Sequence, residues 1–385
     1  MSKDTEIRKR KVRSLIFILL IVAFILLVVA LLLNEEAFLT SRKKPQQTTW
    51  LGQDQIVVCS QNLENYGALF NVKKRSKKMT QSGLELKERA LINRFVAAHC
   101  DIIAVQEVLA PSKREGQRAL ERLAKLLSLE TGRHFKALVG DSNDPNLRSG
   151  YLVASDSAQI IKTNSYYKTE LPKLSAGQKQ RRFSRGPFEV QLRVGRQQQK
   201  ILVLENIHFK SRSSRWGSDP AGLEFETARM EMAEALRQIV KVKYGELVRS
   251  GEVILVLLGD RNGNYDTAAA KILEGKLTLK DFKRGGACVV TKKGMPLCKE
   301  KAKAERSLYS VLINDPKEAA LSGTLRYRKK YYWLDDILLP KESLKYALEK
   351  KGKKGNFKSG LVYYPENASD HALIWVELNL ERSEK

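Results

Sequence analysis

Histidine and cysteine are scarce in this chain, four of each among 385 residues. No two of them stand at the short spacing of a zinc-binding pair, so a zinc centre is disfavoured. No segment repeats at a period of about 20–50 residues, which removes repeat architectures from consideration. Acidic side chains are in deficit as well: 43 Asp and Glu stand against 69 Lys and Arg, a formal net charge of +26. Residues 1–44 hold nine basic and four acidic side chains, so most of the excess belongs to the remainder. A surface that basic favours polyanions: nucleic acid, anionic lipid headgroups or acidic glycans. Charge alone does not separate these from a merely solvated basic face.

What is present begins with one long apolar run. Ser14–Leu33 reads SLIFILLIVAFILLVVALLL without a charge, behind a basic segment, residues 1–13. At ~1.5 Å per residue it spans about 30 Å, the depth of a bilayer's hydrocarbon core. No small-x-small cleavage site follows Leu33. An uncleaved signal-anchor is therefore expected in preference to a long cleaved signal peptide, with residues 1–13 cytoplasmic and the rest on the periplasmic or extracellular side; both readings export the domain. Residues 34–54 read as a linker and residues 55–381 as one folded domain.

Within that domain Val253–Asn264, VILVLLGDRNGN, is the most informative stretch. Its unbroken apolar run reads as a strand buried on both faces, and Asp260 and Asn262 follow in a turn. Further strands are expected at Ile56–Ser60, Asp101–Val108, Phe135–Val139, Tyr151–Ala154, Phe188–Val194, Ile201–Ile207, Trp333–Leu339 and Ala372–Leu378. Helical spacing marks Leu84–Ala98 and Glu115–Glu130, and Asp219-Pro220 opens a third, long helix. Residues 271–330 read as irregular and basic. Strands first alternate with helices and later follow one another, which fits mixed sheets in a single domain.

Asn62, Glu107, His208, Asp260 with Asn262, Asp335, and Asp370 with His371 each lie at or beside a strand end. Carboxylates, imidazoles and carboxamides gathered there suit hydrolysis of a phosphate ester assisted by a hard divalent cation. Mg²⁺ takes carboxylate oxygen and keeps several waters. An imidazole can move a proton, a carboxylate can orient water, and amide donors can stabilise the crowded phosphorus oxygens.

The ordered set QNLEN, AVQEV, NIHFKS, GDRN, WLDDILL and SDH resembles the endonuclease/exonuclease/phosphatase superfamily, that of pancreatic-type deoxyribonuclease and apurinic endonucleases. The resemblance implies an α+β fold, a four-layered α/β/β/α sandwich of two packed mixed sheets, here preceded by one transmembrane helix. It implies Mg²⁺, with Mn²⁺ or Ca²⁺ as substitutes, held by Glu107, Asn62 and Asp370. Asp260 is similar to the carboxylate that positions the nucleophilic water, and Asn262 to the transition-state donor beside it. His371 is similar to the imidazole on the scissile phosphate, and Asp335 to the carboxylate that orients it. His208 resembles the second imidazole of the deoxyribonuclease branch. Arg185 resembles a phosphate-contacting arginine, with Lys210 and Arg261 as further phosphate contacts.

The pattern departs from the family at three places. Gln61 precedes Asn62, and Arg261 adds charge inside GDxN where an aromatic is common. Arg148 and Ser149 stand where that branch supplies a carboxylate to the second imidazole. The last departure leaves His208 between phosphate binding and proton transfer. His99 and His134 match nothing in the family, and Glu205 reads as exposed or paired with Lys210.

Cys288 and Cys298 bracket VVTKKGMPL, where a short disulfide is open in an exported domain. Cys59 lies three residues before Asn62 and Cys100 seven before Glu107. If Asn62 and Glu107 are level, those thiols are offset by about 13 Å at ~3.3 Å per residue, and two buried free thiols are expected.

Basic clusters stand at 73–78, 179–185, 326–330 and 350–354, two of them beside aromatics: Phe183 in one case, Tyr327, Tyr331, Tyr332 and Trp333 in the other. Charge with stacking faces favours a nucleic-acid strand, DNA first. The leading expectation is a membrane-tethered, Mg²⁺-dependent endonuclease with no protein partner implied. A phospholipid, phosphoinositide or other small phosphoester hydrolase is the alternative; its lipid form needs an exposed apolar hairpin near the site, which the sequence does not show outside 14–33. A non-catalytic DNA-binding receptor is the third; it would bind with steep salt dependence and no turnover.

Overall fold

The computed structural model describes residues 54–381 except 77, 197–199, 212–224, 300–305, 314–321, 328–329 and 348–356. Residues 1–53, with the expected cytoplasmic segment, transmembrane helix and nearly all of the linker, lie outside the described residues. So do the helix start at Asp219-Pro220 and the 350–354 cluster. Among the described residues no helix is long and apolar enough to cross a membrane.

The elements run β1 (Gln55–Tyr66), α1 (Leu69–Arg75), α2 (Gln81–Ala97), β2 (Ile102–Leu109), α3 (Lys113–Thr131), β3 (Phe135–Val139), β4 (Leu147–Ala154) and β5 (Ala158–Ser165). They continue with β6 (Phe188–Val194), β7 (Lys200–His208), α4 (Glu226–Arg249), β8 (Val253–Asp260), α5 (Ala268–Leu273), β9 (Cys288–Val290) and β10 (Pro296–Cys298). The last are β11 (Leu308–Ser310), β12 (Leu325–Tyr327), β13 (Lys330–Tyr332), β14 (Asp335–Pro340), β15 (Ser359–Val362) and β16 (Leu373–Asn379). One six-stranded sheet has the order β15-β16-β1-β2-β4-β3 and the other β11-β14-β8-β7-β6-β5. Each is mixed: β1 and β2 pair in parallel, as do β7 and β8, and the other neighbours are antiparallel.

Side-chain parity explains the layers. Along β8, Ile254, Val256 and Leu258 join a core made with the other sheet's Val58, Ala104 and Val376. Leu255 and Leu257 point the other way, under Met230, Ala233 and Leu236 of α4. Both faces are covered, which is why this strand reads as a continuous apolar run. The first sheet is backed likewise by α2 and α3, whose Leu91, Phe95, Leu120 and Leu123 pack on Cys59, Ile103 and Val105. Helix ends follow local chemistry: the Thr80 side chain caps α2 by accepting from Gly83 N at 3.0 Å. The sequence did not signal β5 or α1, and residues 271–330, read as irregular, contain the hairpin β9–β10 and the first strand of the hairpin β12–β13.

Cys59 and Cys100, expected as free thiols, form a disulfide with Cα atoms 5.9 Å apart. The extrapolation assumed that the chain runs straight below β2. Instead His99 takes a φ of 53°, and Asp101 N bonds Val57 O at 2.9 Å, so Cys100 curls over β1. Cys288 and Cys298 face each other across the β9–β10 ladder and are also bonded, Cα atoms 4.0 Å apart.

Glu205 is neither exposed nor paired with Lys210; it is wholly buried and in register with Glu189 beneath α4. Glu189 accepts from Lys243 Nζ at 2.7 Å and Tyr166 Oη at 2.5 Å, whereas neither Glu205 oxygen has a donor. Burial first, and the Glu189 charge next, push the Glu205 carboxyl well above the usual carboxylate range, so it keeps its proton. The folded chain then binds a proton that the unfolded chain releases, and stability falls as pH rises above the ordinary carboxylate pKa. Glu205→Gln keeps an N–H donor toward Glu189 at every pH. It is expected to raise stability by about 1 kcal/mol at pH 8 and by less at pH 5. Urea titrations at both pH values check this; equal gains at the two would contradict it.

Candidate active site

The same parity aims polar side chains at one end of the gap between the sheets. Asn62, Asn206, His208, Asp260 and Asp335 continue the inward rows of β1, β7, β8 and β14. Asp260 is level with His208 on one side and Asp335 on the other. Its Oδ2 accepts from Asn62 Nδ2 across the gap at 3.1 Å and from Asn262 Nδ2 at 2.9 Å, and its Oδ1 accepts from Asn262 N at 2.7 Å. Asn262 folds back with a φ of 53° and donates its other amide hydrogen to Phe209 O at 3.1 Å. With both hydrogens committed, its geometry is that of a group fixing Asp260. Gly259 has a φ of 129°, and a Cβ there would lie 2.2 Å from Ile207 O. Only glycine lets β8 hold β7 this closely beside the site.

His371 Nδ1 lies 2.7 Å from Asp335 Oδ2. Burial works against the charged imidazole, but Asp335, then Asp260 and Asp370, outweigh it and carry its pKa to about 10. Burial, and then Asp335, push Asp260 up to about 7. Asp260, Asp335 and His371 each place one ligand atom within 4.8 Å of the others. Glu107 reaches the same mouth from a bulge in β2, with a φ of 59°. Its Oε2 accepts from Asn65 N at 3.2 Å, and its Oε1 is 3.8 Å from His208 Nε2. Asp370, beside His371, is exposed.

His208 Nε2 is 3.6 Å from Asp260 Oδ2 and 2.7 Å from Arg185 Nη1. A guanidinium only donates, so this nitrogen accepts. Burial first, and Arg185 next, hold the imidazole well below its ordinary pKa. His208 is therefore neutral here, with a cation where a supporting carboxylate was absent; Arg148 instead donates to Pro111 O at 2.9 Å.

The expected phosphate contacts fare differently. Arg185 is buried on His208 and Phe209 O. Lys210 is half-buried, its Nζ 4.4 Å from the Phe225 ring centroid. Arg261 does not add charge to the site. It is 2% exposed on the opposite face of β8, 2.9 Å from Asp336 Oδ2, and donates to Trp333 O at 3.1 Å. A one-residue step from Asp260 turns its side chain to the other side of the sheet. Two expected stacking faces are absent as well, since Phe183 and Trp333 are buried.

No protein-family model matches the chain, and no curated protein matches it. Solved structures of similar course do exist. A humanized TDP2 of D. rerio carrying 14 mutations has 13% identity and a TM-score of 0.48, over 85% of this chain and 100% of that one. An endonuclease/exonuclease/phosphatase family protein from Bacteroides thetaiotaomicron has 14% identity and a TM-score of 0.47, over 84% and 97%. The human Nocturnin catalytic domain with bound sulfate has 12% identity and a TM-score of 0.47, over 87% and 98%. Likeness at that level assigns no function.

Sequence reading missed the group that holds the His371 loop. Arg94, buried in α2, donates Nη1 to His371 O at 2.6 Å and to Gln61 Oε1 at 3.1 Å. Its Nη2 reaches Pro365 O at 2.9 Å and Ser369 O at 3.3 Å, and also Tyr363 O. Gln61, a departure from the family pattern, is thus the partner of that guanidinium and donates to His371 O at 3.1 Å. The signal was available: Arg94 lies three residues from Leu91 and beside Phe95, a charge on the apolar stripe of a helix. Below the site Gln106 Nε2 donates to Asn206 Oδ1 at 2.8 Å and Asn206 Nδ2 to Val105 O at 3.0 Å, tying the two sheets together.

Proposed function

We propose that this chain is a divalent-cation-dependent phosphodiester hydrolase of the endonuclease/exonuclease/phosphatase type, acting on DNA. The convergence of Asn62, Asp260, Asn262, Asp335 and His371 on one mouth, from strands spread over most of the domain, carries this reading. The donor set suits a hard cation: carboxylate and amide oxygens surround the mouth, and all four cysteines are in disulfides. Glu107, Asn62 and Asp370 would hold Mg²⁺, with the Asp260–Asp335–His371 group beside it. When bound, the ion offsets charge on the phosphate. Asp260, immobilised by three hydrogen bonds, orients the attacking water. Asp335 keeps His371 protonated and facing the phosphate, where the imidazolium neutralises an oxygen and can donate its proton to the leaving group. Neutral His208 and its Arg185 bound the other side of Asp260.

Residues 14–33 serve, in this proposal, as a membrane anchor that places the domain outside the cytoplasm. Two disulfides support an oxidising compartment. One observation favours the lipid reading as a second candidate. The disulfide-closed β9–β10 hairpin exposes the cross-strand pair Val289 and Leu297, at 61% and 63%, a feature the sequence alone did not show. Duplex DNA, single-stranded DNA, RNA, sphingomyelin and phosphoinositides offered to the purified chain separate the two. Release of product from DNA with Mg²⁺, abolished by EDTA, is expected; turnover of lipid alone would overturn the nuclease assignment.

A further inference from the structure

The hairpin β12–β13 is built directly onto the catalytic strand ends. Leu325 bridges His371, Ala372 N donates to Thr324 O at 2.7 Å, and Thr324 Oγ1 accepts from Asp335 N at 3.0 Å. Leu325 pairs with Tyr332 and Arg326 with Tyr331. Two strand spacings and a one-residue step therefore put the Tyr331 Cα about 10 Å from the His371 Cα, with the ring on the face of the ribbon opposite Leu325 and Tyr332. Tyr331 is 41% exposed and yet is held on two sides. The Tyr363 ring meets it edge-on with centroids 6.5 Å apart, and the Arg326 guanidinium carbon lies 5.9 Å from its centroid. Tyr363 belongs to the loop that Arg94 clamps, and the next residue, Tyr364, is 74% exposed. Exposed Arg326 and Lys330 accompany these rings.

A surface aromatic ring already fixed by neighbours loses little freedom when something stacks on it. Flanking cations suit a chain of phosphates. The exposed large side chains of this wall are tyrosines, without the aliphatic pair of the β9–β10 hairpin, which favours a nucleobase over a lipid tail. Resting on the hydrolase reading above, we propose that Tyr331 and Tyr364 form a stacking platform for unpaired bases flanking the scissile phosphate. The preferred substrate is then single-stranded DNA, since a base inside a duplex has no free face to offer.

The test uses the full chain in detergent micelles and binding in EDTA, followed by anisotropy of a labelled oligothymidylate and of an abasic strand of equal length. The parent is expected to bind the base-bearing strand about 10-fold or more tightly than the abasic one. Tyr331→Ala/Tyr364→Ala is expected to bind both alike, and Tyr331→Phe/Tyr364→Phe to keep the preference. Equal binding of the two strands by the parent overturns the proposal. So does a double-alanine variant that keeps the preference, or one that loses affinity only for anionic phosphatidylglycerol vesicles. Strand cleavage in Mg²⁺ is scored separately: base-selective binding without cleavage would sink the hydrolase reading and leave the platform standing.

Discussion

Replacing His371 by alanine is expected to lower DNA hydrolysis about 10³-fold, the scale on which a positioned acid–base group acts. The sharper variant is Asp335→Asn, because it keeps the ring and changes its charge. In the parent, activity should rise through about 7 as Asp260 ionises and fall near 10 as His371 gives up its proton. Asp335 is the foremost of the influences that raise His371, whereas burial lowers it. With Asn at 335 the burial effect gains weight, the imidazole pKa falls, and the alkaline limb moves toward neutrality. A pH–rate profile of the variant with its alkaline limb still near 10 would show that another group carries that proton. Near-ultraviolet circular dichroism on both variants separates lost chemistry from lost packing.

Much of this site was legible in the sequence because strand ends are easy to see. The β-branched apolar runs before Asp260 and after Asp335 mark their strands, and their inward parity delivers both carboxylates to the same mouth. What failed to show was anything that depends on a turn of the chain out of the strand line. The positive φ at His99 brought Cys100 over Cys59. The bulge at Glu107 displaced it from the level of Asn62, whose actual register partner is Gln106. Arg94 was read only as one position in a helix, although its place on the apolar face marked it as a buried cation needing partners. Charge counting was the least reliable guide: Arg181 and Arg182 of the 179–185 cluster are paired with Glu231 and Glu170, and Arg185 is buried.

Arg261 offers the largest expected change in stability. It and Asp336 are both at most 2% exposed, on the face of the second sheet opposite Asp260 and Asp335. Asp336 also accepts from Ser310 Oγ at 2.6 Å and Ile337 N at 2.9 Å, but burial still pushes its carboxyl upward against the pull of Arg261. Arg261→Met leaves that carboxylate without its cation and is expected to cost about 3–5 kcal/mol in urea unfolding. Apolar Phe209, Ala269, Ala270 and Leu273 line the space beside Arg261, so Arg261→Met/Asp336→Leu should recover most of the loss, as buried pairs replaced whole often do. Activity then reports on position. Asp335 and Asp260 are held in register by the same two strands that this ion pair joins from behind. If the pair's task is to hold that register, the stable double variant keeps its fold but loses turnover in step with any shift of the Asp335–His371 contact. A double variant as stable and as active as the parent would show that packing alone holds β8 to β14, and that the charge inside GDRN is incidental to catalysis.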